Sequence, residues 1–174
     1  MQHFLSRAVV DHDRARDRIT AWTATELADP DAVLIVDETG DEKSSTDCVG
    51  AARRYSGALA SIGLCQVAVH LTYASRHGHA LIDLALYLGA EWAADQERHL
   101  LTHVPEGVMF ATKPQIAAAL LTHARDLGIG ARWLAGHEVY GGRDCGTAPA
   151  HSASASATPW PSARITVWTP LSAA

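Results

Sequence analysis

An abrupt change of hydrophobic period near residue 33 constrains the fold more than any other feature of this chain. Residues 33–36 are continuously apolar and rich in β-branched side chains, which is typical of a strand covered on both faces. This strand runs into two acidic residues, Asp37 and Glu38. A second apolar segment, ARWLA, leads in the same way to His137 and Glu138. Because open α/β sheets present their chemistry at the carboxyl ends of strands, Asp37, His137 and Glu138 are candidate site residues.

The segments around these two strands have their own patterns. Residues 7–28 carry apolar side chains at roughly helical spacing and precede Asp29-Pro30, which ends a helix. Residues 41–63 are polar and interrupted by glycine, which predicts a long irregular excursion. CQVAVHLTYAS then alternates apolar and polar residues, RHG supplies a turn, and HALIDLALYL returns. These segments predict an antiparallel hairpin.

Two further segments predict helices. EWAADQERHLLTHV has helical spacing and early acidic residues, and KPQIAAALLTHARDLG has proline in its first turn and glycine at its end. The order of strand, hairpin, helix and strand predicts an α/β fold with a mixed sheet and a helical cover. We expect Trp22, Trp92 and Trp133 in the core or at its rim, and His70 partly buried with its hydrogen bonds satisfied.

Composition limits the classes of function. The net charge of −5 and pI near 6.0 argue mildly against tight, independent nucleic-acid binding. Three widely spaced cysteines predict reduced thiols, as in a cytoplasmic protein, rather than a disulfide framework. No apolar run reaches the length of a membrane span, and the N-terminus lacks signal-peptide features. We therefore expect no membrane association.

Six motifs in order give the chain a family resemblance. VLIVDETG is followed by RRYSG, GHALIDLALYL, EWAADQERHLL, VMFATKPQIAAALL and ARWLAGHEVYGG. Over roughly residues 5–142 the chain resembles the DDE-type transposases of bacterial insertion sequences, in the branch whose cores read VVDETG and GDEVYG. The resemblance implies a ribonuclease H-like fold. It also implies an enzyme that cleaves and joins DNA at the terminal inverted repeats of its element with Mg²⁺ or Mn²⁺.

The implied catalytic residues depart from the family pattern. Asp37 matches the first metal-binding Asp, and three carboxylates from separate elements hold the two cations in the family. His137 stands where the second Asp belongs, and imidazole is a poor substitute for a carboxylate that bridges Mg²⁺. Glu138 is the nearest replacement, but neighbours on a strand point to opposite faces. The third acid is expected beyond residue 142, where residues 143–174 contain one acid, Asp144.

Basic and aromatic residues near the expected site are candidate DNA contacts. Lys43, Arg53, Arg54 and Tyr55 follow the first strand, and Lys113 begins a helix. The cations suit phosphate binding and Tyr55 suits stacking on a base. A solvated loop with an arginine pair, and an ordinary surface lysine, explain the same residues equally well.

These observations give two functional hypotheses and three regions. Residues 1–30 are expected to be a remnant N-terminal helical segment, 31–142 a partial catalytic core, and 143–174 a flexible Ala/Ser/Pro-rich tail from a shifted reading frame, which leaves the fold incomplete at its C-terminus. The first hypothesis is an inactive transposase fragment. The second is a non-catalytic DNA-binding or interaction module that interferes with an active transposase by mixed homo-oligomeric assembly.

Overall fold

The computed structural model describes residues 8–57, 60–137, 140 and 165–167. The described residues form a sheet with helices packed on it. The helices are α1 (His12–Glu26), α2 (Ala90–Ala94), α3 (Gln96–Thr102) and α4 (Lys113–Asp126), and none of them is long and apolar enough to cross a membrane. The strands are β1 (Val33–Glu42), β2 (Ala52–Ser56), β3 (Ser61–Ser75), β4 (Gly78–Leu86), β5 (Trp133–Gly136) and β6 (Ile165–Val167).

Strand β1 lies in the middle of the sheet. β3 pairs with it antiparallel on one side, and β5 pairs with it parallel on the other, followed by β6. The strand order is β2-β3-β1-β5-β6, and β4 also pairs with β3. This is the mixed sheet with helical cover of a ribonuclease H-like fold, which confirms the predicted fold class.

The long strand β3 shares one edge between two partners. Its residues 61–65 pair with β2, and its residues 68–75 pair with β4 after a tight turn. The register with β4 shifts between Leu71 and Thr72, which leaves Ile82 as an extra residue of β4. As a result the consecutive residues Ile82 and Asp83 are both buried, instead of alternating between faces.

Helix α4 forms where the sequence predicts it. A reciprocal capping box between Thr112 and Gln115 closes its N-terminus, Pro114 occupies the first turn, and Gly128 with φ 77° follows its C-terminus. The apolar face of the helix packs on the central strands. The core includes Leu34, Val36, Val69, Leu71, Tyr73, Ile82, Ile116, Ala117, Leu120, Ala124 and Tyr140.

Helix α1 forms as predicted but turns a different face inward. Thr20 and Thr23 are buried, and the Thr20 hydroxyl donates to the Ile82 carbonyl. Trp22 is 65% exposed, so the expectation of a core position for Trp22 is wrong. Trp92 is buried and its Nε1 donates to the Ala51 carbonyl at 2.9 Å. Helix α1 contacts β4 through the hydrogen bond from Thr20 and through the ion pair between Arg16 and Asp83, and Ala24 packs against the core.

Two segments differ from the sequence expectation. The predicted irregular excursion contains β2, and the segment from residue 90 to 103 forms two short helices that break at Asp95. β1 also extends to Glu42, so Asp37 lies within the strand and not at its end. Of the region 143–174, β6 is the described part, and its backbone pairs parallel with β5.

Candidate active site

Asp37 lies where the paired part of β5 stops. β5 pairs with residues 33–36 of β1, so Asp37 is the first residue of β1 beyond that pairing. The burial of β1 alternates, with Leu34 and Val36 buried and Asp37 exposed. Asp37 Oδ1 accepts the backbone N–H of Glu38 at 2.8 Å. The Asp37 carboxylate forms no ion pair with another described residue.

His137 directly follows β5, just as Asp37 directly follows the part of β1 that pairs with β5. Gly136 pairs with Val36, and a Cβ added at Gly136 would lie 3.8 Å from Val36 Cβ. Gly136 therefore shares the buried face of Val36, and His137 is the first residue beyond the strand. His137 is exposed, and its carbonyl accepts the backbone N–H of Tyr140 at 2.9 Å. Glu138 lies outside the described residues.

Glu38 faces the other way and is fully engaged. Lys113 Nζ donates to Glu38 Oε1 at 2.6 Å, and the Tyr140 hydroxyl donates to Glu38 Oε2 at 2.9 Å. Burial raises the pKa of Tyr140 far above its ordinary value, and the negative charges of Glu38 and Asp37 raise it further. The Tyr140 hydroxyl therefore keeps its proton and donates it in the hydrogen bond to Glu38. These bonds tie β1, the N-terminus of α4 and the segment after β5 together.

His70 occupies the position opposite Asp37 on β3. The two residues are direct partners in the antiparallel register, so their side chains lie on one face of the sheet. The Nδ1 atom of His70 is buried and has no hydrogen-bond partner within the described part of the chain. The expectation that the hydrogen bonds of His70 are satisfied is therefore wrong for this atom.

The structure separates the five candidate DNA contacts into two groups. Lys43 and Lys113 are paired within the chain, Lys43 with Asp41 and Lys113 with Glu38. The hydrogen bond that Lys43 Nζ donates to the Asp41 carboxylate raises the pKa of Lys43. Both ammonium groups are therefore partly neutralised, which weakens their attraction for phosphate.

The other three candidates lie on β2. The Arg54 guanidinium stacks on the Tyr87 ring at 4.6 Å from the centroid, against Gly89. Arg53 and Tyr55 point to the opposite face of β2 and are exposed, Tyr55 by 69%. Of the five candidate DNA contacts, Arg53 and Tyr55 are therefore the two whose exposed side chains could contact a ligand.

The donor atoms around Asp37 differ from those that Mg²⁺ prefers. His70 is the partner of Asp37 on β3 and His137 directly follows β5, so the nearest candidate donors to Asp37 in the two neighbouring segments are imidazoles and not carboxylates. Among the described residues no three His, Cys, Asp or Glu side chains already converge on a metal position. Mg²⁺ takes hard oxygen ligands in octahedral geometry. This donor set does not fit two Mg²⁺ ions.

Sequence reasoning missed the roles of three residues. Glu38 and Tyr140 belong to the two candidate motifs, but their contact joins residues 102 positions apart. Asp83 is buried beneath α1 and α4, where it contacts His123 and Arg16. The acidic residue in HALID was visible in the sequence, whereas the bulge that turns it inward was not.

Comparison with known proteins identifies a family for the chain. The family model described as DDE superfamily endonuclease matches residues 1–144. No curated protein and no solved structure shows significant similarity to the chain. The matched range contains every residue of the candidate site.

Proposed function

The chain belongs to the DDE superfamily endonucleases, and we propose that residues 31–142 are the catalytic core of an insertion-sequence transposase. The motifs VLIVDETG and GHEVYGG favour the branch whose cores read VVDETG and GDEVYG. The terminal inverted repeats of such an element are the DNA that its parent enzyme would bind. We further propose that this copy does not perform Mg²⁺-dependent cleavage.

The observation that carries the proposed inactivity is the position of His137. Residue 137 directly follows Gly136, the partner of Val36, and the family resemblance puts at this position the second carboxylate, which would share a cation with Asp37. Two divalent cations, where bound, stabilise the attacking and leaving oxygens of a phosphodiester. Imidazole offers one lone pair to one ion and cannot bridge two ions. Asp37 alone supplies too few oxygen ligands for this chemistry.

The remaining residues explain how the core keeps its shape without that chemistry. Glu38 holds Lys113 and Tyr140 on the buried side of β1, so it is not available on the face of Asp37. Glu38 therefore does not replace the missing carboxylate. The role of Asp37 in this copy reduces to a single exposed carboxylate.

Nicking of supercoiled plasmid DNA in Mg²⁺ tests the proposed inactivity. The native chain, the Asp37→Ala variant and the His137→Asp variant are compared at equal concentration. We expect the native chain to nick no faster than Asp37→Ala. Nicking by the native chain that Asp37→Ala abolishes would overturn the proposal. Nicking gained by His137→Asp would locate the lost function at position 137, and no gain would extend the loss to the third carboxylate.

The exposed face of β2 favours a second candidate function. Arg53 and Tyr55 combine a cation with a stacking surface, and Ile62 beside Tyr55 is 63% exposed. Such a face suits a non-catalytic module that contacts DNA or an active transposase. A gel-shift assay at two salt concentrations tests it. DNA binding that weakens with salt and is lost in Arg53→Ala supports the module, and no shift at low salt argues against DNA contact.

A further inference from the structure

We propose that helix α1 of a second copy of this chain docks in an apolar groove formed by α2, α3 and residues 104–110. The two surfaces lie on different elements of the fold, and neither includes a residue of the candidate active site. The proposal therefore assigns an interface for self-association. It does not depend on the proposed loss of nuclease activity.

The groove is lined mainly by apolar side chains that the fold leaves uncovered. Its volume is about 660 Å³, and its walls include Leu100, Met109 and Phe110. These three side chains are 75%, 81% and 45% exposed. Single exposed apolar side chains are normal on a protein surface, whereas several that share one groove mark a contact with a partner.

The rim of the groove is acidic. Glu106 lines the groove, and Glu91 and Glu97 each follow a lining residue of α2 or α3, which places them at the edge of the lining face. All three are exposed, and none forms an ion pair within the part of the chain that the structure describes. Arg98 of α3 is not part of this rim, because its guanidinium stacks on the buried Trp92 ring at 3.8 Å from the centroid. The groove therefore suits a partner that combines apolar side chains with positive charge.

The outer face of α1 supplies the apolar part of such a partner. Thr20 and Thr23 are the buried residues of this helix, whereas Ile19 and Trp22, one turn apart on the outer side, are 59% and 65% exposed. Tryptophan is enriched among the side chains that contribute most to protein interfaces. Docking in the groove would remove both side chains from water.

The same face of α1 supplies the positive charge. Arg18 lies one turn before Trp22, and Arg14 lies one turn before Arg18, so the three side chains follow one line along the helix. Both arginines are exposed and form no ion pair with a described residue. Glu26 lies one turn after Trp22, so the positive charge is confined to the N-terminal part of this line. Charge complementarity therefore favours contact between α1 and the groove over contact between two like surfaces.

Sedimentation velocity over a range of protein concentrations tests this contact in the full chain. We expect the native chain to associate reversibly, and we expect Trp22→Glu and Leu100→Glu each to weaken the association at least about tenfold. The matched control is Tyr55→Glu, because Tyr55 is 69% exposed on β2 and belongs to neither surface. This control is expected to associate as the native chain does. Far-ultraviolet circular dichroism verifies that each variant is folded.

A mixture of the two weakened variants identifies which surfaces meet. Trp22→Glu keeps an intact groove and Leu100→Glu keeps an intact α1, so the mixture retains one native pair of surfaces. We expect the mixture to form heterodimers at concentrations where each variant alone is monomeric.

Each outcome of these measurements decides the proposal. A native chain that stays monomeric at every concentration would overturn it. Weakening in only one of the two variants would mean that like surfaces pair, and weakening in both without recovery in the mixture would exclude contact between α1 and the groove. Weakening in Tyr55→Glu alone would also overturn the proposal and would place the contact on β2.

Discussion

Substitution of Asp83 by Asn is expected to destabilise the chain substantially, although Asp83 lies away from the candidate site. The Asp83 side chain is 3% exposed. Its Oδ2 lies 2.7 Å from His123 Nδ1, its Oδ1 lies 3.3 Å from Arg16 Nε, and Oδ1 also accepts the Leu84 backbone N–H at 2.8 Å. One buried carboxylate therefore joins β4 to both α1 and α4.

The magnitude follows from the burial of each partner. Removing one member of a buried charge pair costs about 3–5 kcal/mol when the other stays dry. The side chains of Arg16 and His123 are 40% and 33% exposed, so water can partly replace the lost carboxylate. Asn also retains an acceptor for the Leu84 N–H. The expected loss is therefore about 2–3 kcal/mol, a large share of a typical stability of roughly 5–15 kcal/mol.

Urea unfolding followed by circular dichroism measures this loss. With an m value of roughly 2 kcal/mol/M, the midpoint of Asp83→Asn should fall by about 1–1.5 M. The matched control is Asp17→Asn, because Asp17 Oδ1 lies 3.1 Å from the Nε2 of the same His123 but its side chain is 36% exposed. The Asp17 side chain is much more exposed than that of Asp83, so water can replace part of its contact, and the control should move the midpoint by less than about 0.5 M.

Equal shifts in the two variants would refute the reasoning. They would mean that burial of the Asp83 carboxylate adds nothing to its contact with His123. A double-mutant cycle with His123→Ala separates the pair from its surroundings. Coupling between Asp83 and His123 of about 1 kcal/mol or more is expected, and additivity of the two substitutions would assign the loss to other contacts of Asp83.

Three further predictions concern contacts around the candidate site. Folding raises the pKa of Tyr140 above its unfolded value near 10. The contribution of Tyr140 to the free energy of unfolding is therefore complete below about pH 10 and falls by about 1.4 kcal/mol for each pH unit above it. Chemical unfolding at pH 9 and pH 11 measures this effect. The difference in free energy of unfolding between the native chain and Tyr140→Phe should be smaller at pH 11 than at pH 9, and an equal difference at both pH values would contradict the assigned pKa direction. Lys113→Met should cost about 1 kcal/mol in urea unfolding, because Glu38 keeps one of its two donors; a loss above roughly 3 kcal/mol would mean that the pair behaves as fully buried. Trp92→Phe should cost about 2 kcal/mol in thermal unfolding by leaving the Ala51 carbonyl without its donor, and a neutral result would show that this carbonyl finds another partner.

The sequence predicts those elements whose signals are local. β1, the β3–β4 hairpin and α4 carry strong periodicity, turn residues or caps within a few positions, and all of them occur as predicted. β2 was missed because its five residues, Ala52–Ser56, contain adjacent arginines and no clear alternation. The strand forms through pairing with β3, whose partner residues lie between 5 and 13 positions further along the chain.

The candidate site shows the same division between local and distant information. The motifs predict that Asp37 and position 137 meet, and in the structure both residues directly follow the last paired residues of β1 and β5, Val36 and Gly136. The pairing of His70 with Asp37 depends on the register between β3 and β1. The alternating pattern of β3 predicts which face of the sheet His70 lies on, but not which residue of β1 it pairs with. Asp83 is buried because of a bulge in β4, and no residue of β4 predicts that bulge.

The alternation of β1 separates the residues that hold the fold together from the residues of the candidate site. Asp37 and Glu38 are consecutive, so they serve opposite faces of the sheet. Glu38 holds the helix and the segment after β5 through Lys113 and Tyr140, whereas Asp37 and His137 are exposed and contribute no cross-element side-chain bond in the described structure. We therefore expect a substitution at position 137 to have little effect on packing, because the side chains that join the elements here belong to Glu38, Lys113 and Tyr140.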